Sequence, residues 1–262
     1  MKIIRNVLLG IVLVVAACIG LIFYSFSRTI PLKDHQPLSG GAEQVKDGMV
    51  SVGIIPSADG QVILIDCGND RKATAILKAL RQLGLDHEAV KTILLTHAHP
   101  DHIAGCAIFP DAEVFAMAAE QPLLEGRAPA KSLVEHLFAK RNSGIRVTRY
   151  LQDGDSLQRG NVLVTAYLIP GHTDGSAAYL AAGTLYLGDS ADSARNGSLL
   201  PAKRFVSNSI RQNRASLKRL AEKLKPQASE IQFMEFAHSG PLPGIAPLLN
   251  FANNMPTKPT AQ

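Results

Sequence analysis

The sequence predicts an α/β domain with its sheets in the middle and its helices outside. Three observations carry that prediction. Short strand-like apolar runs alternate with helical stretches through most of the 262 residues. One buried-type strand, Thr92 to Leu95, delivers the chain directly into a dense cluster of His and Asp. An apolar run at the N-terminus stands apart from both.

Lys2 and Arg5 precede an uninterrupted apolar stretch over residues 7–26, which closes at Ser27-Arg28. That is about the 20 residues a helix needs to cross a bilayer. The leading positive charge favours a cytoplasmic N-terminus and a translocated C-terminal domain, whereas Arg28 and Lys33 weaken the asymmetry. The expectation is one N-terminal transmembrane helix. Two rivals share the segment. Ser25-Phe26-Ser27 offers a small-x-small cleavage site, but the run exceeds the ~7–15 apolar residues of a signal peptide. Val15-Ala16-Ala17-Cys18 resembles a lipoprotein box, but the chain stays apolar beyond the cysteine. Anchor and lipoprotein place the domain alike, on the outer side of a membrane, in a periplasmic or other extracytoplasmic compartment.

The expected organisation is an anchor over 1–27, a linker over 28–45, a domain over 46–242 and an irregular tail over 243–262. Within the domain, Met49–Ile55 and Gln61–Ile65 read as strands joined by the turn Ser57-Ala58-Asp59-Gly60. Asp70–Leu83 has helical apolar spacing, an Asp at its start and Gly84 behind it. Ala112–Ala116 and Arg146–Tyr150 read as strands, with a short amphipathic helix over Ser132–Lys140 between them. Asn161–Ile169 and Ala177–Leu187 are strand-like, the second broken at Gly183 as a hairpin is. Asn208–Leu224 is a basic amphipathic helix and Ile231–Phe236 the last strand.

A net charge of +5 with no dense Lys/Arg run gives no reason to expect nucleic-acid binding. Arg195, Lys203, Arg204, Arg211 and Arg214 read as a solvated helix face before they read as receivers of an anionic substrate. Of three cysteines, Cys18 lies in the apolar run, and Cys67 and Cys106 lie in the domain. A disulfide between the latter two and a pair of buried thiols are both open, since spacing alone does not choose.

His97, His99, Asp101 and His102 fall within six residues behind that buried strand. Three imidazoles and a carboxylate suit zinc and similar divalent ions. The strand Ile93-Leu94-Leu95 argues for a loop fixed by the core rather than four polar residues on a free surface.

The run His97-x-His99-x-Asp101-His102, with Ile103-Ala104-Gly105 behind it, resembles the signature of the metallo-β-lactamase superfamily. Further segments follow in that family's order: Ile65-Asp66-Cys67-Gly68, Pro170-Gly171-His172-Thr173, Leu187-Gly188-Asp189-Ser190 and Ala237-His238-Ser239-Gly240. The resemblance covers about 45–241. It implies an αββα sandwich and two divalent metal ions, zinc first, with manganese or iron as alternatives. By the same resemblance His97, His99 and His172 hold the first ion. Asp101, His102 and His238 hold the second, and Asp189 bridges them. Asp66 braces the loop from behind. His35, His87 and His136 match no motif and read as surface residues.

The resemblance further implies hydrolysis of a small molecule, with Asp101 able to orient the nucleophile or pass its proton on. An Asp at 189, where common zinc β-lactamases carry Cys, favours an ester, thioester or lactone. The β-lactams stay open. Two other classes are weighed against this one. A mononuclear iron enzyme similar to persulfide dioxygenases would not need Asp101, His102 and His238 together, and a non-catalytic tethered binding domain would need none of the ligands.

Overall fold

The protein is described by a computed structural model over residues 24–128 and 142–255, with isolated positions at 6, 9, 10, 12 and 20. Two mixed sheets stack face to face. The first contains β1 (His35–Pro37), β2 (Glu43–Asp47), β3 (Val50–Pro56), β4 (Val62–Ile65), β5 (Val90–Leu94), β6 (Glu113–Met117) and β7 (Arg149–Leu151), side by side in chain order. Pairing is antiparallel as far as β4 and parallel from β4 to β7.

The remaining strands are β8 (Ser156–Arg159), β9 (Val162–Leu168), β10 (Ala177–Ala181), β11 (Thr184–Tyr186), β12 (Ala191–Ser193), β13 (Leu199–Pro201), β14 (Phe233–Phe236) and β15 (Ser239–Pro243). The second sheet runs β15-β14-β11-β10-β9-β8, while β12 and β13 pair separately.

Side-chain alternation explains why both sheets end up in the middle. On β4, Ile63 and Ile65 join Leu94, Phe115 and Met117 between the sheets, where they meet Val164, Ala166, Tyr179 and Tyr186. Val62 and Leu64 point the other way and pack with Ile76 and Leu80 of α1 (Thr74–Gln82). On the far side, Leu185, Met234 and Phe236 pack with Leu217, Leu220 and Leu224 of α4 (Ile210–Leu224) and Leu248 of α5 (Ala246–Asn253). Two short helices, α2 (Pro100–Ile103) and α3 (Gln121–Leu124), sit at strand ends. Strands covered on both faces must be apolar throughout, which is why β3 to β5 carry almost no alternation in sequence.

Several expectations need correction. Residues 28–45 are not a linker. β1 and β2 pair there, Leu38 and Ala42 are buried, and Thr29 bridges Ala194. Nor is 243–262 an irregular tail in its described part, since α5 buries Leu248 and Ala252 against α4. In both places Gly and Pro mark turns between paired elements rather than loose chain. The helix expected over Asp70–Leu83 starts at Thr74. The Asp70 carboxylate instead accepts from the amides of Lys72 and Thr74 and from the Thr74 hydroxyl, forming a turn before it. The strand expected over Arg146–Tyr150 shrinks to β7, and β8 was not anticipated. Ser132–Lys140 lies outside the described residues. So does most of the apolar run 7–26, and no helix among the described residues is long and apolar enough to cross a membrane.

Parallel strands direct their C-terminal ends to one edge of a sheet, and there the chemistry-bearing loops gather. Asp66 follows β4, His97 to His102 follow β5, and Glu120 follows β6. In the second sheet β9, β11 and β14 share a direction, and they lead into His172, Asp189 and His238.

Candidate metal centre

The loop after β5 is fixed before any imidazole is placed. Asp66 stands in left-handed backbone (φ +63) directly behind β4, a conformation that Asp tolerates better than most residues. Its Oδ1 accepts the Thr96 amide at 2.7 Å, and its Oδ2 accepts the Thr96 hydroxyl at 2.6 Å. Gly188, at φ +51, lies against the same threonine, where an added Cβ would come within 2.6 Å of Oγ1.

The outer nitrogens of four histidines then find acceptors. Nδ1 of His102 meets Asp66 Oδ2 at 2.8 Å, and Nδ1 of His238 meets the Met49 carbonyl at 2.6 Å. His97 Nδ1 lies 3.1 Å from the Thr96 hydroxyl and His172 Nδ1 lies 3.0 Å from the Ser207 hydroxyl. Both hydroxyls already spend their proton, on Asp66 and on the Lys203 carbonyl respectively, and so they accept from the rings. The network therefore assigns each of these rings a proton on Nδ1 and turns Nε2 inward, with its lone pair free in His97 and His172.

These lone pairs converge. Nε2 of His97, Nδ1 of His99 and Nε2 of His172 form a triangle with sides of 2.9, 3.0 and 3.1 Å. Nitrogens on a tetrahedral zinc at ~2.0–2.1 Å stand roughly 3.3 Å apart, close to this spacing. Beside the triangle, His102 Nε2 lies 3.3 Å and His238 Nε2 3.2 Å from Asp189 Oδ1, while Asp189 Oδ2 lies 3.5 Å from His172 Nε2. Asp101 Oδ2 approaches His238 Nε2 at 3.5 Å and His102 Nε2 at 3.8 Å. His102 Nε2 and Asp189 Oδ1 are buried and make no hydrogen bond of acceptable geometry. Lone pairs pointed at one another inside a protein are costly unless a cation lies between them, so the donor set fits divalent metal ions.

The two halves differ electrically. Burial, with the neighbouring imidazoles behind it, holds His97 well below the usual histidine range, and burial pulls His172 down to about 3. This half is a set of neutral nitrogen donors. In the other half burial also opposes charge, but Asp101, Asp189 and Asp66 outweigh it and raise His102 well above its ordinary value. Asp189 and Asp101 similarly raise His238 to about 10 against its burial. Asp101 is held at about 2 and Asp189 well below its ordinary value, chiefly by His102 and His238, again against burial. Two carboxylates here demand positive charge, which protons or a divalent cation can supply.

All seven ligand candidates and Asp66 thus meet at one edge of the molecule. The unassigned histidines stay away: His35 pairs with Glu43 and His87 is exposed, whereas His136 lies outside the described residues. Lys203 departs from expectation. It is not on a solvated helix face but is buried against Asp192, with its ammonium 4.8 Å from the Phe26 ring centre. Arg195, Arg204, Arg211 and Arg214 are exposed. Cys67 and Cys106 form a disulfide, resolving the alternative that their spacing left open. Ser207 and the Met49 carbonyl were missed in sequence, where nothing local links them to His172 or His238.

The metallo-beta-lactamase superfamily model matches residues 45–226. A hydroxyacylglutathione hydrolase from Photobacterium profundum is 28% identical over 157 residues, covering 59% of this chain and 53% of that protein. One from Xanthomonas euvesicatoria is 33% identical over 137 residues, covering 51% and 43%. The chain thus spans about half the length of these curated relatives. Among solved structures, a subclass B3 metallo-β-lactamase of Bradyrhizobium japonicum superposes with a TM-score of 0.60 at 21% identity, covering 86% of this chain and 91% of that one. At that identity the likeness concerns the fold.

Proposed function

Because the chain belongs to the metallo-β-lactamase superfamily, with the matched stretch over residues 45–226, we propose that it is a metal-dependent hydrolase of a small carbonyl substrate. The observation that carries the reading is the convergence of His97 Nε2, His99 Nδ1 and His172 Nε2 beside His102, His238 and the carboxylates of Asp101 and Asp189. His97, His99 and His172 would hold one divalent ion, zinc first among the candidates. Asp101, His102 and His238 would hold a second, with Asp189 reaching both through its two oxygens. Such ions supply Lewis acidity and bring the pKa of water close to neutrality. The protein's own part is orientation. Asp66 and Ser207 keep His102 and His172 in the tautomer protonated on Nδ1, and the ionised Asp101, with Oδ2 3.5 Å from His238 Nε2, is placed to orient the nucleophile.

We favour esters, thioesters and lactones by resemblance, because Asp189 stands where common zinc β-lactamases carry Cys. The hydroxyacylglutathione hydrolase relatives agree with a thioester. Donors for a second ion beside those for the first favour this over an iron oxygenase needing one.

We also read residues 7–26 as a membrane tether, with the domain in an oxidising, extracytoplasmic compartment. The apolar run and the Cys67–Cys106 disulfide support that placement.

Elemental mass spectrometry of the purified chain, with a panel of thioester, lactone, β-lactam and phosphodiester substrates, tests the assignment. Two zinc ions and turnover of one carbonyl class, both lost in His99→Ala, are expected. No metal and no turnover after reconstitution with zinc or manganese would sink it.

A further inference from the structure

A buried carboxylate outside the ligand set joins the loops that carry the first one. Glu120 ends the turn Ala118–Glu120 behind β6 and is 1% exposed. Its Oε1 accepts the Ala98 amide at 2.8 Å. Its Oε2 accepts the Thr173 hydroxyl at 2.8 Å and the Gly175 amide at 2.9 Å. Ala98 sits between His97 and His99, and Thr173 follows His172. Gly175 passes so close that an added Cβ would stand 2.2 Å from the Glu120 nitrogen. Burial pushes the Glu120 carboxyl up to about 7, and no Lys or Arg forms an ion pair with it among the described residues. A carboxyl group kept there against its desolvation needs a reason that apolar packing does not supply.

We propose that Glu120 is a positioning residue for the first metal-binding group. By holding the Ala98 amide with one oxygen and the Thr173–Gly175 turn with the other, it sets the distance between the His97/His99 loop and the His172 loop. The triangle of nitrogens can close on an ion without moving only if these two loops keep that distance. The inference rests on the metal-centre reading and deepens it. The second group lies outside this clamp, because His102, Asp101, Asp189 and His238 are held through Asp66, Met49 and one another. Glu120 should therefore act on one ion and spare its neighbour.

The test uses the full chain and zinc in a two-step competition against a chelator. Glu120→Gln keeps the shape but faces three donors with one acceptor oxygen and an NH2, so at least one pair of hydrogens is opposed. Expected is a loss of roughly ten- to a hundredfold in the affinity of one ion, with the other held as in the wild type. Thr173→Val removes one of the three bonds and leaves the carboxylate in place. It should weaken the same ion by several-fold, and it decides the matter if Glu120→Gln does not fold. Wild-type affinity in the folded variants, or equal weakening of both ions, would overturn the proposal. A wild-type chain that binds no zinc would remove the metal reading itself, and this inference with it.

Discussion

At the scale of single residues, function rests on which nitrogen of each imidazole carries the proton. Asp66 is the clearest lever, because one carboxylate fixes both the Thr96 backbone and the His102 tautomer. Asp66→Asn keeps the volume but can present an NH2 to His102 Nδ1, which favours the tautomer with its proton on Nε2. The ion held by His102 is then expected to bind roughly ten- to a hundredfold more weakly, read by zinc competition. Unchanged affinity would reduce Asp66 to a brace for the loop. A second residue-scale prediction concerns Glu235, which lies fully buried with Gln44 Nε2 and Ser51 Oγ on its Oε1. Burial raises its carboxyl from 4.5 to about 7. Between those pH values the unfolded chain loses a proton that the folded chain keeps, so this group's contribution to stability falls as pH rises through the window. Glu235→Gln removes that slope. Relative to wild type it should gain on the order of 2–3 kcal/mol between pH 4.5 and 8 in denaturant unfolding. A difference that stays flat with pH would mean that Glu235 is already ionised at the low end. The ligands were legible in sequence because His97 to His102 concentrate metal chemistry in one short segment. Ser207, Glu120 and Glu235 were not, since each meets its partner only after the sheets have stacked.

At the scale of elements, the Cys67–Cys106 disulfide ties the end of β4 to the turn behind α2. Alongside it the Cys67 amide donates to the His102 carbonyl at 2.7 Å and the Ala104 amide to the Gly68 carbonyl at 3.1 Å. The bridged cysteines are separated by 39 positions. A loop of that size corresponds to about 4 kcal/mol in the chain-entropy account. For a domain of this length that is roughly 8–16 °C in melting midpoint. Reductant, or the Cys67→Ser/Cys106→Ser pair, should lower the midpoint by that order in a thermal scan. A shift under about 2 °C would show that the neighbouring backbone bonds hold the loop unaided. Element types were readable wherever an apolar run was unbroken, as in β5, or helical apolar spacing was strong, as in α1 and α4. The edges were not. Residues 28–45 and 243–255 look like loose chain by their Gly and Pro, yet they form β1, β2 and α5 because the sheets and α4 offer partners to pair and pack with.

At the scale of the whole molecule, the end of the apolar run lies against the candidate metal centre. The Phe26 ring packs edge-on to His238 with centres 6.1 Å apart, and the Lys203 ammonium stands over its face. Beyond it the chain is fastened down: Arg195 Nε donates to the Ser27 carbonyl at 2.7 Å, and the Ile30 amide donates to the Ser193 carbonyl at 3.0 Å. If residues 7–26 enter a membrane, as proposed, a tether rooted here would hold the second ligand group within a few residues of its surface. The full chain is therefore expected to sediment with membranes, to resist release by 1 M salt or alkaline carbonate, which strip electrostatically held proteins, and to be freed by detergent. A chain starting at residue 24, which keeps Phe26 in place, should be soluble. It should cleave a short water-soluble ester as the full chain does, yet fall behind it on an amphiphilic ester dispersed in vesicles. Release of the full chain by salt alone would end the tether. Sedimentation with equal turnover of both esters would keep the tether but detach it from substrate access, leaving Phe26 as a wall of the centre and nothing more.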